Sequence, residues 1–224
     1  VQEATDENIW TSIKNNTFGR NKDIKDFIDG LELIDESACI SLDAKWGDGK
    51  TFFVRQIEEV LKYVLANQRA DEENPIEKLP SYEYLKDNEM MAKIDLKHSY
   101  LPIYYNAWMY DNHSDPLMSL LLVMTKTCRG VYDTKIDSEK ISKKLVEALA
   151  TLPISLGEFK ANPFTAIEKL QGKSMDILSL VQTEEEIRER VKGIFNDIIV
   201  ERAQKLVIFI DELDRCRPSF AIEM

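Results

Sequence analysis

Cysteine and histidine are scarce in this chain, whose 224 residues include three cysteines and two histidines. The cysteines lie far apart in sequence and form no C-x-x-C pair, so a structural zinc site is not expected. An odd number of cysteines without a disulfide framework is typical of proteins from a reducing compartment. We therefore predict a cytoplasmic location.

Long apolar runs are missing as well. The longest apolar stretch, residues 117–124, is far shorter than the roughly 20 residues that a membrane-spanning helix needs. The first residues show no signal-peptide pattern. We predict no transmembrane span in this fragment.

Positive charge is in deficit, with 29 Lys and Arg residues against 40 Asp and Glu residues and a net charge of −11. A surplus of negative charge repels the phosphates of nucleic acids and anionic lipids. We therefore expect no direct binding to nucleic acid. The 44% hydrophobic content is ordinary for a soluble globular protein and is sufficient for a core.

A glycine-containing loop at residues 44–51 reads A-K-W-G-D-G-K-T, between a predicted strand at 38–42 and a predicted helix at 51–66. The phosphate-binding pattern is G-x-x-x-x-G-K-[ST], in which backbone N–H groups surround the phosphates. Its lysine contacts the β- and γ-phosphate oxygens and its hydroxyl binds Mg²⁺. Gly49, Lys50 and Thr51 match this pattern, and Ala44 replaces the first glycine.

We make further predictions for three residues of the loop. Ala44 is compatible with the pattern if its φ is negative. We expect the Asp48 carboxylate to face solvent while its N–H faces the ligand. We expect the Trp46 ring to pack against a neighbouring helix. The residues predicted to surround the nucleotide are Trp46, Gly47, Asp48, Gly49, Lys50, Thr51 and Phe52.

A second motif, K-L-V-I-F-I-D-E-L-D-R-C-R-P, occupies residues 205–218. Its apolar residues 206–210 predict a strand buried on both faces that places Asp211 and Glu212 at its carboxyl end. Asp211 is predicted to complete the Mg²⁺ shell, and Glu212 could activate a water molecule. A glutamate at this position can instead cap a helix or form an ion pair. Pro218 is predicted to open a helix that is truncated at the end of the chain.

Residues 100–105 predict another buried strand, which is followed by N-A-W. Asn106, directly after this strand, could orient the nucleophile or contact the γ-phosphate. An asparagine that closes a strand is also a common turn residue, and both interpretations stay open.

Helical spacing is found near the N-terminus, within residues 17–33. Phe18 and Arg20 precede the main part of this helix and are candidates for contact with a nucleotide base. The alternative is an N-terminal helix that only caps the domain.

The order of predicted elements favours an α/β domain with a mainly parallel sheet. Further helices are predicted at 117–127 and after a capping box at 183–186. We interpret residues 1–224 as one incomplete domain that is truncated at the C-terminus. Its core is predicted in about 1–66, 98–130 and 200–224, with a surface insertion at about 67–97 and a helical insertion at about 131–199.

Taken together, the segments W-G-D-G-K-T, Y-Y-N-A-W and I-D-E-L-D-R-C-R-P resemble the KAP family of P-loop NTPases. Members of that family are similar in having a tryptophan in the phosphate loop, N-A-W after a strand and the acidic motif D-[DE]-L-D-R-C-x-P. The resemblance implies a three-layer domain of the additional-strand, catalytic-glutamate (ASCE) division of P-loop ATPases.

The resemblance also implies roles for individual residues. Lys50 would hold the β- and γ-phosphates, Thr51 and Asp211 the Mg²⁺, and Glu212 would be the base for the attacking water. The predicted catalytic residues are Glu212, Lys50 and Asn106. Asp214 and Arg215 match motif positions of the family. Arg215 and Arg217 would either reach a phosphate in a neighbouring subunit or form local ion pairs.

The function predicted from these motifs is ATP hydrolysis with Mg²⁺ that drives a conformational or assembly change. The resemblance adds bacterial defence or signalling as an implied context. The alternative is a nucleotide-gated scaffold or regulatory module that binds ATP with little or no hydrolysis. The expected partners are ATP and either another protein or a second copy of the chain. A peripheral position at the inner face of the membrane is an alternative to a free cytoplasmic location.

Overall fold

The computed structural model describes residues 3–45, 47–71, 75–112 and 203–224, and seven single positions between 116 and 193. The chain divides into two compact units, Val1–Thr134 with Arg202–Met224, and Lys135–Glu201. The description below concerns the first unit. The helices of this unit whose bounds the structure describes are α1 (Asp6–Lys14), α2 (Asn21–Leu31), α3 (Lys50–Gln68), α4 (Tyr82–Leu85) and α5 (Pro218–Glu223), and the strands are β1 (Tyr100–Asn106) and β2 (Lys205–Asp211).

Among the described residues, five short 3₁₀ turns connect these elements or continue the strands. They are Thr17–Gly19, Ile76–Lys78, Met91–Lys93, Ala107–Tyr110 and Leu213–Arg215. The Ala107–Tyr110 and Leu213–Arg215 turns follow β1 and β2 directly, so both strands end in a tight bend at the same edge of the sheet.

The core forms around α3, whose apolar face packs against α1, α2, α4 and β1. Apolar residues recur at helical spacing on each of these helices, and this spacing turns one face of each toward the others. Ile57 and Leu61 of α3 are 1% exposed. The fully buried apolar residues from the neighbouring helices are Ile9, Ile13, Ile24, Ile28 and Leu85.

The strands β1 and β2 form a parallel pair, with Tyr100 opposite Lys205 and Asn106 opposite Asp211. Because the strands run in the same direction, their carboxyl ends lie together. An α/β fold with a parallel sheet is therefore confirmed for the described residues. The extent of both strands agrees with the sequence prediction to within one residue.

The expectation that β2 is buried on both faces is wrong for the described structure. Phe209 is buried, but Ile210 is 44% exposed and residues 205–208 are half-buried. Among the described residues β2 has a partner strand on one side only, because β1 is its only neighbour in the sheet.

The predicted strand at 38–42 is also wrong: these residues form no regular secondary structure. Ile40 is 54% exposed and Leu42 is 42% exposed. A strand needs a neighbour to accept and donate its backbone hydrogen bonds, and within the described ranges β1 and β2 pair only with each other. The phosphate loop is therefore entered from an irregular segment.

The remaining expectations have mixed outcomes. The helix predicted at 51–66 is confirmed as α3, and the one within 17–33 is confirmed as α2 after a 3₁₀ turn. The segment 67–97, predicted as a surface insertion, places Leu85 and Met90 in the core. Most of 117–127 and all of 183–186 lie outside the described residues. The division into core and insertions stays a prediction.

None of the described helices is both long and apolar enough to cross a bilayer.

Candidate functional site

The phosphate loop has the backbone geometry that its glycines permit. Gly47 has φ 89° and Gly49 has φ 79°, in the left-handed region that other residues rarely adopt. Gly49 is the N-cap of α3, so the loop leads directly into the first turn of that helix. The first N–H groups of a helix have no acceptor within it, and they carry the positive end of the helix dipole. This end of α3 is suited to bind an anion.

The Lys50 side chain folds back across the loop. Its Nζ donates to the carbonyl oxygen of Ala44 at 2.6 Å and approaches that of Lys45 at 3.5 Å. Ala44 has no positive φ, so the condition for an alanine at this position is met. The ammonium group thus lies beside the backbone of Ala44 and Lys45, at the N-terminal end of the loop.

Asp48 agrees with its prediction only in part. The residue is exposed, as expected, but its carboxylate Oδ2 accepts a hydrogen bond from the Lys45 N–H at 3.0 Å. Its own N–H, predicted to face the ligand, donates instead to the Lys45 carbonyl at 3.2 Å. Both bonds close a tight turn between residues 45 and 48.

Two other residues, Trp46 and Phe52, are predicted to contact the nucleotide. Trp46 lies outside the described residues. The Phe52 side chain is 8% exposed and belongs to the core. Only the Phe52 backbone N–H, in the first turn of α3, is placed to contact a ligand.

The acidic end of β2 is held by hydrogen bonds from both sides. The Tyr104 hydroxyl of β1 donates to Asp211 Oδ2 at 2.8 Å, and the Glu212 N–H donates to Asp211 Oδ1 at 2.9 Å. Burial and the nearby Asp211 carboxylate raise the pKa of Tyr104 above its ordinary value. Tyr104 is therefore a protonated donor at neutral pH and fixes the orientation of the Asp211 carboxylate.

Glu212 has an unusual backbone and a charged partner. Its φ is 58°, a left-handed conformation that is strained for a residue with a side chain. Its carboxylate forms an ion pair with the Arg215 guanidinium. The alternative role as an ion-pair partner is thus present in this structure. The neighbouring Arg217 also forms an ion pair, with Asp111, which lies 106 positions earlier in the chain.

Asn106 lies opposite Asp211 at the last position of the parallel pair. Its side-chain oxygen accepts a hydrogen bond from the Met109 N–H at 3.2 Å and caps the turn after β1. The turn role is therefore also present, while the same residue lines a cleft beside the phosphate loop.

This cleft of about 460 Å³ brings the separate motifs together. Thr51 contributes from the start of α3, and Tyr104 and Asn106 contribute from the end of β1. Tyr104 in turn bonds Asp211. Glu212 is not among the residues that line the cleft. The described residues that line it are Glu3, Ala4, Thr5, Thr51, Arg55, Tyr104 and Asn106.

Sequence reasoning missed Tyr104 and Arg55. The Arg55 guanidinium lies 4.8 Å from the centre of the Tyr104 ring and is 2.6 Å from Asp6 Oδ1. Spacing would have identified both residues. Arg55 follows Thr51 by one helical turn and shares its helix face. Tyr104 is two strand positions before Asn106 and points to the same side of the sheet.

Replacing Tyr104 with phenylalanine is expected to lower the free energy of unfolding by about 1–2 kcal/mol at neutral pH, because Asp211 loses a donor. The pKa of Tyr104 is raised in the folded state, so the stability it contributes is present below about pH 10 and is lost as pH rises further. The difference in unfolding free energy between the variant and the unchanged protein should therefore become smaller above about pH 10. Urea unfolding across this range measures both effects.

The matched control is Tyr82→Phe, since Tyr82 is only half-buried. Its effect should stay within about 0.5 kcal/mol. An equal loss in both variants would contradict a specific role for the Tyr104 hydroxyl.

The oxygen donors near the cleft suit a hard divalent cation. Mg²⁺ in nucleotide sites uses one or two protein oxygens together with phosphates and water. The Thr51 hydroxyl and the Asp211 carboxylate are donors of this kind. No group of three or more His, Cys, Asp and Glu residues that could hold a metal occurs among the described residues.

A glycine loop that opens a helix, beside the carboxyl ends of two parallel strands, defines a P-loop nucleotide-binding domain. Residues 20–224 match the family model of the KAP family P-loop domain. The match covers most of the chain, so this protein belongs to the KAP family of P-loop NTPases. Membership indicates nucleotide binding. No curated protein matches the chain, and no solved structure does.

Proposed function

We propose that this chain binds ATP with Mg²⁺ and hydrolyses it, and that hydrolysis drives a conformational or assembly change. The observation that carries the proposal is the cleft in which Thr51, at the start of α3, meets Tyr104 and Asn106 at the strand ends. Tyr104 links this cleft to Asp211 through a 2.8 Å hydrogen bond. These contacts support the proposal that the two motifs share one site.

In this proposal the phosphates lie against the first turn of α3. The loop and helix N–H groups surround them, and the Lys50 ammonium leaves the Ala44 carbonyl to contact the β- and γ-phosphate oxygens. Because the chain as a whole is negatively charged, these local donors are the main source of affinity for phosphate in this proposal.

Thr51 and Asp211 are proposed to hold Mg²⁺, which when bound neutralises charge that develops on the phosphates. Tyr104 keeps the Asp211 carboxylate oriented toward that position. Asn106, opposite Asp211, is placed to orient the attacking water.

Glu212 is proposed to accept the proton of the attacking water. Its carboxylate is paired with Arg215 in this structure, and the pair must open before Glu212 can act as a base. The strained φ of 58° at Glu212 favours such a role, because strained residues cluster at functional sites.

The same ion pair supports the second candidate function, a nucleotide-gated scaffold or regulatory module with little hydrolysis. A base held by an arginine is not free to accept a proton, and Glu212 does not line the cleft. The finer fold assignment, a three-layer ASCE domain with a helical insertion, and the cytoplasmic location are likewise proposals. So is an assembly with another protein or a second copy.

Titration with ATP and Mg²⁺ tests the proposal. Thermal unfolding should shift upward with ligand, since a ligand at 100 times its Kd stabilises the folded state by about 2.7 kcal/mol. Phosphate release should accompany binding. The absence of any shift at saturating nucleotide would contradict nucleotide binding, and a shift without phosphate release would favour the binding module. GTP is the matched comparison, because the chain has no guanine-reading N-K-x-D motif.

A further inference from the structure

Arg20 donates hydrogen bonds to two successive carbonyl groups of the phosphate loop. Its Nη2 lies 2.7 Å from the Asp48 oxygen, and its Nη1 lies 3.2 Å from the Gly49 oxygen. The guanidinium is a planar fork of donors and can bind two neighbouring acceptors at once. These bonds join the start of α2 to the loop, 28 and 29 positions away in sequence.

The two bonds act on the direction of two peptide groups. The Gly49 carbonyl also accepts a hydrogen bond from the Phe53 N–H of α3 at 3.0 Å, so Arg20 holds it together with the helix. In a planar trans peptide the C=O and N–H point in opposite directions, and no cis peptide bond occurs in the described residues. Because Arg20 binds the carbonyls of Asp48 and Gly49, the N–H groups of Gly49 and Lys50 must point away from Arg20. A carbonyl that turned toward a phosphate would repel it, so this orientation favours anion binding.

A strained turn holds Arg20 in place. Asn16, Phe18 and Gly19 have φ values of 48°, 69° and 66°. The turn is closed by the Gly19 N–H, which donates to the Asn16 carbonyl at 2.9 Å, and by the Asn21 N–H, which donates to Asn16 Oδ1 at 3.0 Å. Left-handed backbone at an aromatic residue costs free energy and persists only where the surroundings enforce it.

The Phe18 ring lies beside the guanidinium, with Arg20 Cζ 5.7 Å from the ring centre. The Phe18 side chain is 69% exposed. At the loop, a Cβ at Gly49 would lie 3.2 Å from Arg20 Nη1, so a glycine at this position allows the close approach. The strained turn, the Phe18 ring and the glycine at position 49 thus all favour the contact between Arg20 and the loop.

We propose that Arg20 is a positioning residue of the phosphate loop. It holds the Asp48 carbonyl outward and, together with the Phe53 N–H, the Gly49 carbonyl, so that the adjoining N–H groups face the phosphates. The inference rests on the proposed nucleotide site but concerns a residue outside both motifs. It differs from the expectation that Arg20 contacts the base, since its guanidinium is engaged by the loop.

The test measures affinity for two probes by titration calorimetry, Mg²⁺-ATP and inorganic tripolyphosphate with Mg²⁺. Tripolyphosphate has no base or ribose. The variants are Arg20→Ala, Arg20→Gln and Arg20→Lys. Arg20→Ala should lower the affinity for both probes by the same factor, about tenfold or more, because two charged hydrogen bonds to the loop are lost. Arg20→Lys should be intermediate, since an ammonium lacks the fork.

The matched control is Lys22→Ala, which removes one positive charge from the same helix at a side chain that is 81% exposed. It should bind both probes like the unchanged protein, and thermal unfolding of the unliganded variants tests for a merely structural effect. If Arg20→Ala does not fold, Arg20→Gln and Arg20→Lys provide the comparison.

Four results would overturn the inference: unchanged affinities in Arg20→Ala, a loss for ATP alone, an equal loss in Lys22→Ala, or a loss matched by global destabilisation. Failure of the unchanged protein to bind either probe would instead contradict the proposed function on which the inference rests.

Discussion

Lys50→Ala is expected to abolish nucleotide binding at concentrations that saturate the unchanged protein. In the proposed site the ammonium contacts two phosphate groups, and each charged hydrogen bond contributes roughly 1.5–3 kcal/mol. Their loss corresponds to affinity that is about a hundredfold lower or more. Calorimetric titration with Mg²⁺-ATP measures the change directly, and the upward thermal shift with ATP should disappear.

The matched control for this variant is Lys45→Ala, which removes the same charge from an exposed side chain of the same loop. Its affinity should fall far less. If Lys50→Ala binds ATP as well as the unchanged protein, the assignment of residues 44–51 as a phosphate loop fails. If both lysine variants lose affinity equally, the effect is one of general charge.

Glu212→Gln is expected to separate binding from turnover. The amide cannot accept a proton from water, and general bases contribute typically 10²–10⁴-fold to a rate. Phosphate release should therefore fall by about a hundredfold or more. ATP affinity should persist, because the phosphates and Mg²⁺ are assigned to other residues. Parallel measurements of kcat and of the ATP-dependent thermal shift test the expected loss of turnover and the expected retention of binding.

An exposed glutamate, Glu7 in the first turn of α1, supplies the control Glu7→Gln. It should hydrolyse ATP at the unchanged rate. Retained turnover in Glu212→Gln would refute its role as the base and would leave Glu212 as the ion-pair partner of Arg215. Loss of binding in this variant would point to a role in holding the nucleotide or its metal.

Local patterns were sufficient to predict much of the fold. Apolar periodicity and the strong apolar run at 206–210 placed α3, β1 and β2 close to their observed bounds. Glycine chemistry predicted the loop, because a left-handed φ at Gly47 and Gly49 is available to few other residues. Parallel pairing then brought Asn106 opposite Asp211, as expected for strands that end at one sheet edge.

Features that depend on distant neighbours could not be predicted in this way. Residues 38–42 have a strand-like composition, but strand formation is decided by a hydrogen-bonding partner and not by propensity alone. The bonds from Tyr104 to Asp211 and from Arg20 to the loop join residues of different elements. Nothing in the local sequence of either partner specifies the other.

The hydrogen bond between Tyr104 and Asp211 joins residues that are 107 positions apart in the chain. Contacts of such long range slow folding, because closing the intervening chain costs entropy before the contact can form. The proposed nucleotide site is therefore complete only when β1 and β2 have paired. A ligand that bridges the α3 loop and this strand pair binds only the folded state and stabilises it. In the proposed site, ATP is therefore expected to stabilise the fold of this protein as well.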